Sequence, residues 1–187
     1  MSPMDDADRY KRDAADYAVR FLRPGMIVGL GHGSTAAQAV ERIAACRRDG
    51  ALTGIRGIPC STQVEAHARA RGIPLTTLEA HPVIDVTLDG ADEVDPELGL
   101  IKGGGGALLR EKVVAQATRR EIILVDASKL SPRLGTRAAV PVAVLPFGWR
   151  TQLRFLEGLG ARCALRSRPD GAPFVTDDGH FILDARF

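Results

Sequence analysis

Aromatic residues are scarce in this chain: six Phe, two Tyr and one Trp, or 5% of 187 residues. Lys plus Arg number 25 against 23 Asp plus Glu, so the chain offers neither the stacking platforms nor the basic excess of a nucleic-acid binder. The net charge of +2 is dispersed, and the arginine pairs at Arg47 and Arg119 read as solvated helix surface. Long apolar runs are missing too. None reaches the roughly 18 residues that span a bilayer, and the opening MSPMDDADRYKRD lacks a signal peptide's basic and apolar regions. The expectation is a cytoplasmic protein with no membrane partner. Cysteine is limited to Cys46, Cys60 and Cys163. An odd count without paired spacing speaks against a disulfide scaffold or zinc knuckle and for reduced, structural thiols. The histidines, His32, His67, His81 and His180, are isolated from one another, which disfavours a transition-metal centre.

What is present is an alternation of apolar strands and helical patterns, in a chain 45% apolar and long enough for one domain, or one with a small appendage. Tyr10, Ala14, Tyr17, Ala18 and Phe21 recur at helical spacing and predict a helix over 5–22, ended by Pro24-Gly25. MIVGLG reads as a buried strand entering a glycine turn. STAAQAVERIAACRRDG follows as a helix, with Ser34 or Thr35 as its cap and Gly50 at its end. IRGIPCS, PLTTL, VIDVTLDG and EIILVDAS continue as strands, interleaved with helices over 62–71 and from about 107 to 120. Apolar strands alternating with helices imply a parallel sheet flanked by helices. Near Pro141 the pattern changes. VPVAVLP, RCALRS and the strand sequence within FVTDDGHFILDARF accompany one helix, GWRTQLRFLEGLGA, and suggest a second, smaller α+β unit. The expected division is 1–132 and 133–187.

Ligands of an open parallel sheet sit beyond the carboxyl ends of its strands, and polar clusters fall there. GLGHGST, residues 29–35, is not a dinucleotide fingerprint, because serine stands where its last glycine belongs, and it is not a Walker loop, because no G-K-[ST] follows. It is a glycine turn carrying two hydroxyls, Ser34 and Thr35, to a helix N-terminus, suited to phosphate. DGADEVD places Asp89, Asp92, Glu93 and Asp95 within seven residues without calcium-loop spacing; alone it would be a solvated acidic turn. LIKGGGGALLREKVVAQ, residues 100–116, sets Lys102 before four glycines and Glu111 in the first turns of the next helix. Glycine runs are entropically costly unless unusual dihedrals or close approach are needed. A cation, bare backbone donors and a potential general base thus share one stretch of sequence, and partial burial of Glu111 would raise its pKa toward a useful value.

GLGHGSTA, DGADEVD, LIKGGGGALLREKVVA and VDASK, in this order and spacing, resemble ribose-5-phosphate isomerase type A, with collinear similarity through nearly the whole chain. The resemblance implies a Rossmann-like parallel sheet with helices on both faces plus a smaller α+β domain. It also implies cofactor-free and metal-free interconversion of ribose 5-phosphate and ribulose 5-phosphate, usually by a homodimer or larger homo-oligomer. Carried over by position, the general base falls on Glu111. Asp89 and Asp92 fall on carboxylates that engage sugar hydroxyls and help open the ring. Lys102 and the amides of Gly103, Gly104 and Gly105 fall on oxyanion donors. His32, Gly33, Ser34 and Thr35 match the phosphate turn, Gly90 and Ala91 the neighbouring backbone, and Lys129 and Lys11 supply positive charge.

Two departures stand out. His32 occupies a position where the family usually has threonine, and the chain stops at ILDARF where relatives continue, so the small domain is expected to be shortened, with an unpaired sheet edge. The competing expectation is an impaired relative or sugar-phosphate-sensing module, for which Glu111 beside Lys102 would have no use.

Overall fold

The computed structural model describes residues 3–187. In chain order its elements are α1 (Pro3–Val19), β1 (Ile27–Leu30), α2 (Ser34–Arg48), β2 (Arg56–Pro59), α3 (Thr62–Ala70), β3 (Val86–Gly90), β4 (Glu93–Val94), β5 (Leu100–Ile101), α4 (Leu108–Gln116), β6 (Glu121–Leu124), a 3-10 turn (Ala127–Lys129), β7 (Val140–Val144), α5 (Trp149–Gly158), β8 (Arg162–Leu165) and β9 (Phe181–Arg186). They form two compact units. The first runs through Gly90 and includes Arg110–Ser128; the second comprises Ala91–Leu109 and Lys129–Phe187, a grouping that no single cut in the chain reproduces.

The first unit holds a four-stranded parallel sheet in the order β2-β1-β3-β6. Alternation along the strands decides which side chains each face buries. Val28, Leu30, Val86 and Leu88 pack with Val19 of α1 and Val40 and Ile43 of α2 on one face. Ile58 and Ile84 pack with Val114 of α4, and Ile27 joins them, on the other. The chain steps from β1 to β2 on one side and then crosses back to β3 on the other. β1 and β3 therefore flank the point where strand order reverses, the place where such sheets open a crevice. PLTTL contributes no strand. Gly57 N donates to Pro74 O and Thr76 N to Gly57 O, leaving one isolated bridge at Leu75. The cap of α2 also differs from expectation: it is Gly33, at φ 107°, with no side-chain cap bond. The hydroxyls of Ser34 and Thr35 are thus not consumed in capping. Among the described residues no helix is long and apolar enough to cross a membrane.

The second unit contains the antiparallel pair β4-β5 and a three-stranded antiparallel sheet, β7-β9-β8. Ile182, Leu183 and Ala185 of β9, with Val144 and Ala161, are buried around the three-stranded sheet, and Val94, Ile101 and Ala107 are buried in the segment before α4. The β4-β5 pair is absent from the sequence reading, since two residues per strand carry no periodicity. What ties it to the distant segment 131–138 is Glu93, whose side chain is fully buried. Its carboxylate accepts N–H bonds from Gly135 (3.1 Å), Thr136 (3.1 Å), Arg137 (3.2 Å) and Ala138 (2.9 Å). Burial by itself pushes this carboxyl upward, but the donors from Ala138, Ser131, Arg137 and Gly135 outweigh it and hold the pKa at about 2. Because the folded value lies below the ordinary 4.5, the stabilisation is complete above pH 4.5 and is lost as pH falls toward about 2. Thermal melts across that window should therefore show the wild type losing stability on acidification. Glu93→Gln should melt lower at neutral pH and vary less with acid; parallel curves for the two proteins would contradict this role.

Candidate active site

In the first unit the site begins where β1 and β3 end side by side, with Leu30 in register with Leu88. Gly31 N donates to Leu88 O at 2.9 Å. Asp89, 1% exposed, uses Oδ1 to accept from His32 N (3.0 Å) and Gly90 N (2.7 Å). The glycine at 31 is a steric requirement. A Cβ there would lie 2.2 Å from Asp89 Oδ1 and 2.5 Å from Asp89 Cα. Gly29 meets the same constraint one layer deeper, where a Cβ would lie 2.0 Å from Thr87 Oγ1. Beyond the turn, Gly33 leads into α2, and Ser34 and Thr35 stand at its N-terminus, where free backbone donors and the helix dipole favour an anion. The imidazole of His32 lies away from a hydroxyl role: Nδ1 is 3.0 Å from Ser61 Oγ, which also accepts Val64 N at the cap of α3. Position 32 thus contributes its backbone to the turn and its ring to the α3 cap. Lys11, on α1, lies 3.6 Å from Asp8.

Glu111 belongs to this unit as well. It sits in the first turn of α4 and is 5% exposed, on the face it shares with Val114, three residues on. Thr118 secures the far end of α4, its Oγ1 bonding Val114 O and the Thr87 hydroxyl, each at 2.6 Å.

The second unit holds Ala91, Asp92, Lys102, the glycines and Lys129. Asp92 N donates to Ile101 O at 2.8 Å, while its Oδ2 accepts Gly104 N at 2.7 Å. Gly103 to Gly106 form a turn closed by Gly106 N to Gly103 O at 2.9 Å. Gly103 and Gly106 take φ of 89° and 93°, a region that side chains rarely enter. Lys102 is half-buried just before this turn, and Lys129 half-buried at the end of the 3-10 turn. The four acidic residues that stand together in sequence do four different things. Asp89 knits two strand ends, Asp92 holds the glycine turn, Glu93 anchors a loop, and Asp95 Oδ1 accepts Glu97 N and Gly99 N in its own turn. Among the described residues no group of three His, Cys, Asp or Glu could hold a metal ion.

The roles of Ser61 and Glu93 escape a reading of the sequence because their partners are backbone amides and a ring 29 residues away. The serine did carry a signal, S-T-Q-V-E, a cap followed by an acidic first turn.

The model of the family described as Ribose 5-phosphate isomerase A (phosphoriboisomerase A) matches residues 56–187. The chain belongs to this family. Ribose-5-phosphate isomerase A of Desulfatibacillum aliphaticivorans is 56% identical over 184 residues, 98% of this chain and 80% of the relative. Its counterpart in Chloroflexus aurantiacus is 58% identical over 174 residues, 93% of this chain and 73% of the relative. A D-ribose-5-phosphate isomerase solved in complex with phospho-erythronic acid matches with a TM-score of 0.94 at 38% identity, over 97% of this chain and 80% of the other. Ribose 5-phosphate isomerase from Plasmodium falciparum gives a TM-score of 0.92 at 42% identity, over 96% and 79%.

In this ribose-5-phosphate isomerase A family member, two glycines distinguish folding from site geometry. Gly31→Ala drives a Cβ into backbone and should cost about 2 kcal/mol or more, lowering the melting temperature by about 5 °C. At Gly104 the nearest atoms to an added Cβ belong to the Asp92 carboxylate, 2.5 Å away at Oδ1, which can swing aside. Gly104→Ala should melt within about 2 °C of wild type while losing the Asp92 bond. Equal melting losses in the two variants would refute the distinction.

Proposed function

We propose that this chain interconverts D-ribose 5-phosphate and D-ribulose 5-phosphate, the aldose-ketose isomerisation of the non-oxidative pentose phosphate pathway. The observation that carries the reading is Glu111, a carboxylic acid buried on the sheet-facing side of a helix that a four-glycine turn opens. A carboxylate held out of bulk water at the start of a helix is placed to act as general base toward a substrate bound beside it.

In the proposed mechanism Glu111 removes the proton from C2 of the open-chain aldose. The electron pair moves through C1 onto O1, giving a cis-enediolate. Glu111 then returns the proton to C1 and a hydroxyl proton passes from O2 to O1, yielding the ketose. Electrons stay within the substrate, so the step calls for no redox cofactor. Lys102 and the amides of Gly103 and Gly105 stabilise the developing oxyanion, the Gly104 amide being held by Asp92. Asp92 and Asp89 engage sugar hydroxyls during ring opening. The N-terminus of α2, with Ser34 and Thr35, receives the phosphate, and Lys11 and Lys129 add charge.

A coupled assay for ribulose 5-phosphate tests this directly. Wild type should turn over, and Glu111→Gln should fold normally while losing about 10² to 10⁴ in rate. Near-wild-type turnover in that variant would remove Glu111 from the role. Exhaustive EDTA should leave the rate unchanged; recovery by added Mg²⁺ or Zn²⁺ after a loss would overturn the metal-free mechanism.

We further propose that the chain self-associates, as a homodimer or larger homo-oligomer. What supports this is α5, which buries none of its residues and leaves Phe155 exposed, with Leu159 exposed just after it and Phe147 just before it at 95% exposure; apolar surface of this kind favours association. Light scattering at micromolar concentration should give at least a dimer, and a monodisperse monomer would contradict it.

A further inference from the structure

The glycine turn is held from two sides, and only one of them belongs to the acidic cluster. Its central peptide joins Gly104 to Gly105. In a four-residue turn the two common geometries differ chiefly by a flip of this peptide, and glycine on both sides of it removes the steric preference that would choose between them. Something outside the turn must choose.

Arg166, the residue after β8, is placed to do so. Its Nη1 donates to Gly104 O at 2.8 Å. Its Nε donates to Asp184 Oδ2 at 2.9 Å, and Nη2 donates to Asp184 Oδ1. The fork on Asp184 fixes the plane of the guanidinium and leaves Nη1 as a directed donor. The guanidinium carbon also stands 6.0 Å from the centre of the Phe174 ring. That ring packs on the turn itself: a Cβ at Gly106 would come within 2.7 Å of it. Side-chain burial is substantial, with Arg166 18% and Asp184 27% exposed, so solvent screens the pair only in part.

We propose that Arg166 is a positioning residue that sets the direction of the Gly105 amide. The peptide is planar and trans, so its carbonyl and N–H point in opposite directions. Anchoring Gly104 O on Arg166 aims Gly105 N–H away from the guanidinium, while the preceding Gly104 N–H is held by Asp92. Asp184, Arg166, the turn and Asp92 form one line of hydrogen bonds within the second unit, from β9 to the end of β3's connection. The inference rests on the reading of the glycine amides as oxyanion donors. A donor that is turned away is of no use to an enediolate, and fixing it in advance spares its reorganisation during reaction.

The test compares wild type, Arg166→Ala and Arg166→Lys. Arg166→Ala should lower kcat by about 10- to 100-fold with KM changed by less than about threefold, since the donor matters in the transition state. Millimolar guanidinium should restore part of the loss, entering the concavity lined by Asp92, Gly104, Arg162, Cys163 and Asp184. Arg166→Lys keeps charge but cannot fork, and should show the same kcat deficit; it decides the matter if Arg166→Ala does not fold. A folded variant with kcat within about twofold of wild type, or a rise in KM alone, overturns the proposal. If wild type itself fails to isomerise ribose 5-phosphate, the functional reading falls, and the amide resonance of Gly105 then judges the positioning separately. It should be single in wild type and split or broadened in Arg166→Lys; an unchanged single resonance rejects the role.

Discussion

Everything in the first unit depends on how closely two strand ends approach. β1 and β3 run so near each other at Gly29 and Gly31 that no side chain fits between them and the Thr87 and Asp89 of the neighbouring strand. That proximity lets a single buried carboxylate oxygen serve both chains at once, and it directs the following residues outward into the start of α2. The N-terminus of a helix stands at the reversal point of the sheet because two glycines cede their volume, one to Thr87 and one to Asp89. A larger residue at either place would separate the strands and with them the turn.

The second unit solves the opposite problem. It has few large apolar residues to bury, and it stabilises irregular backbone with carboxylates instead. Glu93 gathers consecutive amides of a loop, Asp95 closes its own turn, and Asp92 takes an amide of the glycine turn. Each converts a length of backbone that a sheet would have satisfied into a fixed loop. The same chemistry, a carboxylate facing N–H groups, yields scaffolding at Glu93 and Asp95 and, at Asp92, a side chain whose other duties depend on the turn it holds.

Much of this was legible in the sequence. The parallel sheet and its helices follow from apolar runs at 27–30, 86–88 and 121–124 and from helical spacing between them, because both are periodic and local. The glycines, Lys102 and Glu111 were legible because no core requires them together. The cap of α2 was misread: a hydroxyl at Ser34 or Thr35 is the ordinary cap, but Gly33 at positive φ places the chain one residue earlier. PLTTL has strand composition yet holds only two sheet bonds around Leu75. Glu93, Ser61 and Arg166 were not legible, since what defines them is a partner far along the chain, and neither composition nor period encodes that.

α4 carries one more consequence. Glu111 follows the last glycine by five residues, and its burial depends on sharing a face with Val114. An α-helix advances about 100° per residue, so inserting or deleting a single residue between Ala107 and Glu111 would turn the face that Glu111 and Val114 share by about that angle relative to the chain entering the helix. The segment from the glycine turn to Val114 is therefore fixed in length as well as in identity.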